Sequence, residues 1–386
     1  MGEQQPSLIE RLRERSPSLP VTLVLLAVNV GVFVAMLFAG AGLWHAHNEV
    51  QLAWGANFGP ATEDGQWWRL ATAMFLHFGL LHLGVNMLAL LEAGRFVERH
   101  YGSLRFLALY FCAGIGGNLL SLVMQGGHGI SGGASGAVFG LFAALLFLLR
   151  MERPRLDPTE FRWLFWGAAG ITATNIALGL FVAGIDNGAH LGGLLLGLLA
   201  AVLLEPSRGI RRLRFLAGGA LLLALAALVA LLPEPRYRWS DELVAREQVR
   251  AFVGQDADII ARWNALIEQG RRDGMSFEEL ADRIETQVAE SYEESFENLA
   301  AARLDPRAPA VRMLDALKEY AVLRRDASSE LAEALRNQDA AAIRAAIAKA
   351  NRAGAAAGLA PAAAPGDCSG STVDKPFGPC PEPRRR

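Results

Sequence analysis

The chain has 386 residues, of which 52% are hydrophobic, and its formal net charge at pH 7 is −2. It lacks a basic patch, which excludes the electrostatic footprint expected of a nucleic-acid-binding protein. The hydrophobic residues are concentrated before about residue 232, whereas residues 234 to about 352 are charged and helix-patterned. The chain therefore divides into a membrane part and a water-soluble part.

Seven apolar segments are long enough to cross the hydrocarbon core of a bilayer, which takes about 20 helical residues. In chain order they lie near residues 21–43, 70–91, 104–124, 131–149, 163–184, 187–204 and 213–232. The first segment is too long for a cleaved signal peptide, and no small-residue cleavage pattern follows it. The pattern predicts a polytopic membrane protein with seven spans.

The connections between these segments predict their orientation. Arginines precede the first segment and fill the connections after the second, fourth and sixth, whereas the loops near 44–67, 125–130 and 184–187 contain neither Arg nor Lys. Basic loops are retained on the cytoplasmic side. We therefore expect a cytoplasmic N-terminus and, after seven spans, a C-terminal region on the outer side.

Polar side chains lie near the outer ends of three predicted spans. His82 and Asn86 are four residues apart on the second span and share one helix face. Ser135 lies one helical turn into the fourth span, and His190 lies near the start of the sixth. An intramembrane histidine indicates a functional site, and a serine and a histidine that meet in space can perform nucleophilic catalysis.

Plainer interpretations exist for each of these residues. A membrane serine often packs or bonds the preceding helical turn, and a buried histidine can be structural or can belong to a proton path. The neighbouring glycines are typical of closely packed helices, and they are Gly132, Gly133, Gly136 and Gly140 with Gly193 and Gly197. Close helix packing would also bring Ser135 and His190 within hydrogen-bonding distance.

Five motifs, from about Trp54 to Gly197, resemble those of the rhomboid family of intramembrane serine proteases and follow the family order. They are Trp68-Arg69, the HxxxN motif His82–Asn86, the series Gly94, Glu98 and Gly102, the GxSG motif Gly133–Gly136, and the AHxxG motif Ala189–Gly193. GxSG alone is a weak signal. Its combination with HxxxN and AHxxG, on three different spans, is a specific one.

The resemblance implies a Ser–His dyad without a third acidic member. Ser135 would be the nucleophile and His190 its general base, while the His82 and Asn86 side chains and the Ser135 backbone N–H would hold the oxyanion. Asp186 lies near His190 but in an outer loop, and we assign it no catalytic role.

Five further residues are expected to support this site. Gly133 would leave room for backbone donors beside the nucleophile, and Gly136 belongs to the same closely packed face. Phe139 would pack on the His190 ring, Arg69 would anchor the first outer loop, and Trp68 would lie at the membrane interface. His77, near the start of the second span, is expected to be structural. The resemblance implies no metal and no organic cofactor.

The predicted fold is all-α: a polytopic helix bundle with a rhomboid-like six-helix core and a seventh span, followed by a small helical extramembrane domain. The expected divisions are 1–18 (cytoplasmic segment), 19–206 (catalytic core), 207–233 (seventh span), 234–354 (extracytoplasmic helical domain) and 355–386 (disordered tail rich in Ala and Pro). In an oxidising outer compartment, Cys368 and Cys380 of the tail would form a disulfide.

The resemblance further implies an enzyme of the lipid bilayer, in a bacterial inner membrane, that cuts transmembrane protein substrates near the outer membrane boundary, beside a small residue in a helix that unwinds easily. Two other functions stay open. One is a catalytically inactive rhomboid-like protein that binds transmembrane clients, although the retained Ser135 and His190 argue against it. The other is a small transporter with a histidine proton relay, which would need further acids inside the spans.

Overall fold

The computed structural model describes residues 6–126, 129–182 and 184–359, and the chain divides into two compact units, Met1–Pro235 and Arg236–Arg386. Cys368 and Cys380, whose pairing was predicted, lie outside the described residues, as does the predicted tail from residue 360 onward.

Among its described residues, the first unit contains seven helices that are long and apolar enough to cross a membrane. They are α2 (Pro20–Phe38), α6 (Leu80–Tyr101), α7 (Ser103–Gln125), α8 (Ser135–Glu152), α9 (Pro158–Phe181), α10 (Asn187–Leu204) and α11 (Arg211–Ala230). The shorter elements are α1 (Leu8–Arg15), α3 (Asn48–Ala53), β1 (Asn57–Phe58), α4 (Gly59–Glu63), α5 (Arg69–Thr72), β2 (Ile130–Ser131) and 3₁₀ turns at Ala73–Phe75, Arg153–Arg155 and Arg208–Ile210. The predicted all-α membrane bundle is confirmed.

The second span begins ten residues later than predicted, at Leu80 instead of residue 70. Residues 69–75 form α5 and a 3₁₀ turn instead, and the segment directly before α6 pairs with the preceding loop. There, Leu80 N–H donates to the Leu43 carbonyl at 2.9 Å and Ala46 N–H donates to the Phe78 carbonyl at 3.0 Å. Gly79 lies against the Trp44 backbone at a φ of +156°, where a side chain would clash. Apolar composition alone could not distinguish these short, interrupted turns from one continuous helix.

Helix α10 packs closely against both α7 and α8. A Cβ added at Gly136 of α8 would lie 3.2 Å from the Ala189 carbonyl oxygen, and one added at Gly117 of α7 would lie 3.3 Å from the Gly193 nitrogen. Small residues allow helix backbones to approach in a membrane. The predicted glycine faces therefore bring the starts of α8 and α10 together.

The loop between α2 and α6 folds over the start of α8. Its strand β1 pairs antiparallel with β2, and this brings Asn57 opposite Ser131. The Arg69 guanidinium stiffens the loop by donating through Nη1 to the carbonyl oxygens of Leu52, at 2.8 Å, and Ala56, at 3.0 Å. The two-residue strand pair was not predicted, and it connects this loop to the segment that leads into α8.

The start of α2 is held by a carboxylate from α6. Glu98, which is 1% exposed, accepts hydrogen bonds from the backbone N–H groups of Val21 at 3.0 Å and Thr22 at 2.8 Å. These N–H groups lack partners within their own helix. The glutamate therefore caps the first span and fixes it against the second.

The second unit is a separate helical bundle. It consists of α12 (Trp239–Asp273), α13 (Phe277–Ile284), a π-helical turn (Glu285–Ala289), α14 (Glu290–Ala300), α15 (Val311–Arg336) and α16 (Ala340–Ala356). In its core, the Tyr292 hydroxyl donates to Asp256 at 2.8 Å and accepts from Arg324 Nε at 3.1 Å. Arg324 also lies 5.4 Å from the centre of the Trp263 ring, so its buried charge has a carboxylate nearby and aromatic faces around it.

Candidate active site

Ser135 is the first residue of α8, at the very end of the helix and not one turn inside it as predicted. The segment before it is fixed by the β1–β2 pair and by the Gly133 N–H group, which donates to the Ala73 carbonyl at 2.8 Å. A residue at this position has no intrahelical acceptor for its backbone N–H. The helix dipole adds partial positive charge at the same point.

A small space lies between Ser135 and His82, where a side chain at Gly133 would be. The φ of Gly133 is +139°, and a Cβ at this position would lie 2.9 Å from Cε1 and 3.1 Å from Nε2 of His82, and 3.7 Å from Oγ of Ser135. The imidazole edge and the serine hydroxyl therefore border the same space, which stays open because residue 133 has no side chain.

His82 presents a hydrogen-bond donor to that space. The Phe78 N–H group donates to His82 Nδ1 at 3.3 Å, so the proton of the neutral ring is on Nε2, the nitrogen next to Gly133. Asn86 lies one turn further along α6, is 5% exposed, and uses one amide N–H to bond the His82 carbonyl at 2.9 Å. The second N–H of that amide is left for another acceptor.

His190 lies in the first turn of α10 and is 7% exposed. Its ring stacks on Phe139, with a centroid distance of 4.2 Å and an interplanar angle of 10°. A Cβ added at Gly136 would lie 3.2 Å from the Ala189 carbonyl oxygen, so the residues next to Ser135 and His190 lie close together. The hydrogen bonds within the described ranges do not include one between Ser135 and His190; such bonds are commonly long before substrate binds.

The other predicted residues lie around this centre. Trp68 is half-exposed, and the Arg69 guanidinium lies 4.8 Å from its ring centre, so this pair belongs to the loop that covers β2. His77 is fully buried, with its ring centre 5.1 Å from that of His82. Burial and the neighbouring His82 lower the pKa of His77 to about 3. It is neutral at physiological pH and packs against His82.

One residue that we set aside has more contacts than expected. The Asp186 carboxylate accepts the Ala189 N–H at the start of α10, and it also accepts the hydroxyl protons of Ser121 and Ser131. An aspartate directly before an apolar helix is a recognisable N-cap signal. The two serines are distant in sequence, so their contacts could not have been deduced from it.

The chemistry available at this site is that of acyl transfer. A hydroxyl, an imidazole and several N–H donors lie at the ends of three helices, which is the set of groups that serine hydrolases use. Across residues 6–126, 129–182 and 184–359, no three His, Cys, Asp or Glu side chains come together as a metal site would need.

Comparison with known proteins relates this arrangement to one family. The family model of the Rhomboid domain matches residues 64–207. The chain is 31% identical over 225 residues to Rhomboid protease AarA of Providencia stuartii, an alignment that covers 52% of this chain and 79% of AarA. It is 37% identical over 206 residues to Rhomboid protease GluP of Bacillus subtilis (strain 168), covering 53% of this chain but only 39% of GluP. It is also 36% identical over 143 residues to Rhomboid-like protease 3 of Toxoplasma gondii, covering 37% of this chain and 54% of that protein.

Proposed function

Because the chain belongs to the rhomboid family, we propose that it is an intramembrane serine endopeptidase that cuts transmembrane proteins near the outer membrane boundary. One observation carries the proposal. His82 Nε2 and Ser135 Oγ border the space that a side chain at Gly133 would fill, and the start of the His190 helix lies next to Gly136, the residue after Ser135.

In the first step, His190 takes the proton from Ser135 Oγ while the oxygen attacks the carbonyl carbon of the scissile peptide. Phe139 stacks on the imidazole and limits the rotation of the ring that acts as the base. The hydroxyl lies at the start of α8, where an extended substrate strand can reach it. A substrate helix must therefore unwind locally before its carbonyl carbon can be attacked.

The negative charge that develops on the carbonyl oxygen would be stabilised by hydrogen-bond donors that are already in position. These are Nε2–H of His82, the second amide N–H of Asn86 and the unpaired backbone N–H of Ser135, supported by the α8 dipole. His190 then gives its proton to the leaving amine. Water, activated by the same imidazole, hydrolyses the acyl-enzyme and restores the Ser135 hydroxyl.

The test is a cleavage assay with the purified full chain in detergent and in liposomes. A substrate with one transmembrane segment is added, and the products are mapped by mass spectrometry. We expect a single cut near one end of the segment, blocked by a serine-directed phosphonate that becomes attached to Ser135. An intact substrate and an unlabelled serine would contradict the proposal and favour an inactive client-binding protein.

The oxyanion role predicts partial losses of activity. His82→Ala and Asn86→Ala are each expected to lower kcat by about 10²–10³-fold, the usual effect of losing one oxyanion donor, because the remaining donors still hold the oxygen. The comparison is between kcat and the thermal unfolding temperature in the same detergent. Variants that unfold at lower temperature but cleave at the wild-type rate would assign both side chains a structural role only.

The proposed location is a bacterial inner membrane, with the N-terminus in the cytoplasm and the second unit outside. A reporter that folds only in an oxidising compartment, fused to the C-terminus of the full chain, is expected to be active. As an independent measurement, Cys368 and Cys380 should react with a thiol reagent only after reduction. If this reporter were inactive and one that works only in the cytoplasm were active at the same position, the topology would be contradicted. The active-site proposal would be unchanged, because α6, α8 and α10 precede α11.

A further inference from the structure

One carboxylate joins the segment that carries the nucleophile to the helix that carries the base. Asp186 Oδ2 accepts the hydroxyl protons of Ser121 and Ser131, both at 2.5 Å, and its Oδ1 accepts the Ala189 N–H at 2.9 Å. Both serines are buried, at 1% and 6% exposure. The short distances and the burial indicate strong, charge-assisted bonds.

The positions of these contacts relate directly to the proposed chemistry. Ser131 lies four residues before Ser135 on a segment fixed by its pairing with Asn57. Asp186 lies one helical turn before His190, whose N–H donates to the Asp186 carbonyl at 3.1 Å. The path from nucleophile to base through Asp186 is therefore short, and hydrogen bonds hold it at each end.

Asp186 does not occupy the place of the acid in a catalytic triad. Both of its oxygens are bonded to Ser121, Ser131 and the backbone of α10. His190 Nδ1 is buried and has no hydrogen-bond partner within the part of the chain that the structure describes. Asp186 is therefore joined to His190 by hydrogen bonds through the start of α10 and not by a bond between the two side chains.

We propose that Asp186 is a positioning residue that sets the separation of Ser135 and His190 by linking Ser131 to the start of α10. This inference rests on the proposed protease function. A displacement of about 1 Å between reacting groups can cost about 100-fold in rate, so the loss should appear in kcat and not in KM. Asp186→Ala is expected to lower kcat by about 10–100-fold with KM little changed.

The two serines form a matched pair for the test. Both donate to the same oxygen at the same distance, but only Ser131 lies on the nucleophile segment, whereas Ser121 belongs to α7. Ser131→Ala is expected to lower kcat by about tenfold or more, and Ser121→Ala by less than about threefold, with similar losses of thermal stability. Because the serine variants keep the cap on α10, they test the proposal even if Asp186→Ala does not fold.

Two further variants test the link itself. Asp186→Asn keeps an oxygen for the Ala189 N–H and an amide that can donate to a serine hydroxyl, so it should recover much of the wild-type kcat. In the Asp186→Ala/Ser131→Ala double variant, kcat should be no lower than in Asp186→Ala, because Asp186→Ala already removes the bond that Ser131→Ala removes.

The possible results separate this inference from the proposed function. A wild-type chain that does not cleave would contradict both. A wild-type chain that cleaves in a Ser135-dependent manner, with an unchanged kcat in Asp186→Ala, would overturn the positioning role alone. Equal losses of kcat in Ser121→Ala and Ser131→Ala, in proportion to their losses of stability, would also overturn it.

Discussion

Replacing Ser135 with Ala is expected to abolish cleavage and leave the protein folded. The hydroxyl is the proposed nucleophile, and removal of a serine nucleophile from a hydrolase costs about 10⁶-fold in kcat. Its loss should change stability little, since the hydrogen bonds of the described residues include none from this hydroxyl and the removed atom is small. The measurement is product formation by the purified variant over hours, alongside its thermal unfolding temperature.

Two comparisons make this result specific. Ser207→Ala changes a serine in the exposed connection between α10 and α11, and it should cleave at the wild-type rate. His190→Ala should lose about as much activity as Ser135→Ala, and the double variant should lose no more, because a nucleophile and its base act as one unit. Wild-type turnover by Ser135→Ala would contradict the assignment of the nucleophile.

Most of the membrane bundle could be predicted because the length, the apolar composition and the glycine spacing of each helix are properties of a continuous stretch of sequence. Length and apolar composition located the seven helices, and glycine spacing indicated which faces approach, as where Gly136 lies close to the Ala189 carbonyl. The predicted start of α6 was wrong. Residues 70–79 are as apolar as a helix, but they form a short helix and a 3₁₀ turn and then pair with the loop near Leu43 and Ala46. That choice depends on contacts between segments, which local composition does not encode.

The same distinction applies to the candidate site. The identities of Ser135, His190, His82 and Asn86 came from motifs on three separate helices, and their arrangement at one end of the bundle follows from helix order. The hydrogen bonds that orient these side chains could not be predicted. The Phe78 bond that leaves the proton on His82 Nε2 and the two serines on Asp186 involve backbone geometry or distant partners, and neither has a sequence pattern of its own.

Gly133, two residues before the nucleophile, should be the position without a reactive group at which a substitution lowers activity most. Gly133 has a φ of +139°, and a Cβ there would lie 2.9 Å from His82 Cε1, closer than carbon atoms can approach. Gly133→Ala must therefore move either the His82 ring or the segment that carries Ser135. Because either movement removes an oxyanion donor or misplaces the nucleophile, we expect kcat to fall by at least about 10²–10³-fold.

The preceding glycine provides the matched control. A Cβ at Gly132 would meet its nearest neighbours, which include the Ala73 carbonyl oxygen and Leu76 Cβ, at 3.4 Å, and Gly132 does not have a positive φ. Gly132→Ala should therefore retain most of the wild-type kcat, although both variants add one methyl group to the same loop.

A serine-reactive phosphonate separates the two possible causes of activity loss in Gly133→Ala. Normal labelling of Ser135 with slow peptide cleavage would indicate displacement of His82, whereas slow labelling would indicate displacement of the nucleophile. Equal activity of Gly132→Ala and Gly133→Ala would mean that the space beside Gly133 is not where the oxyanion is held.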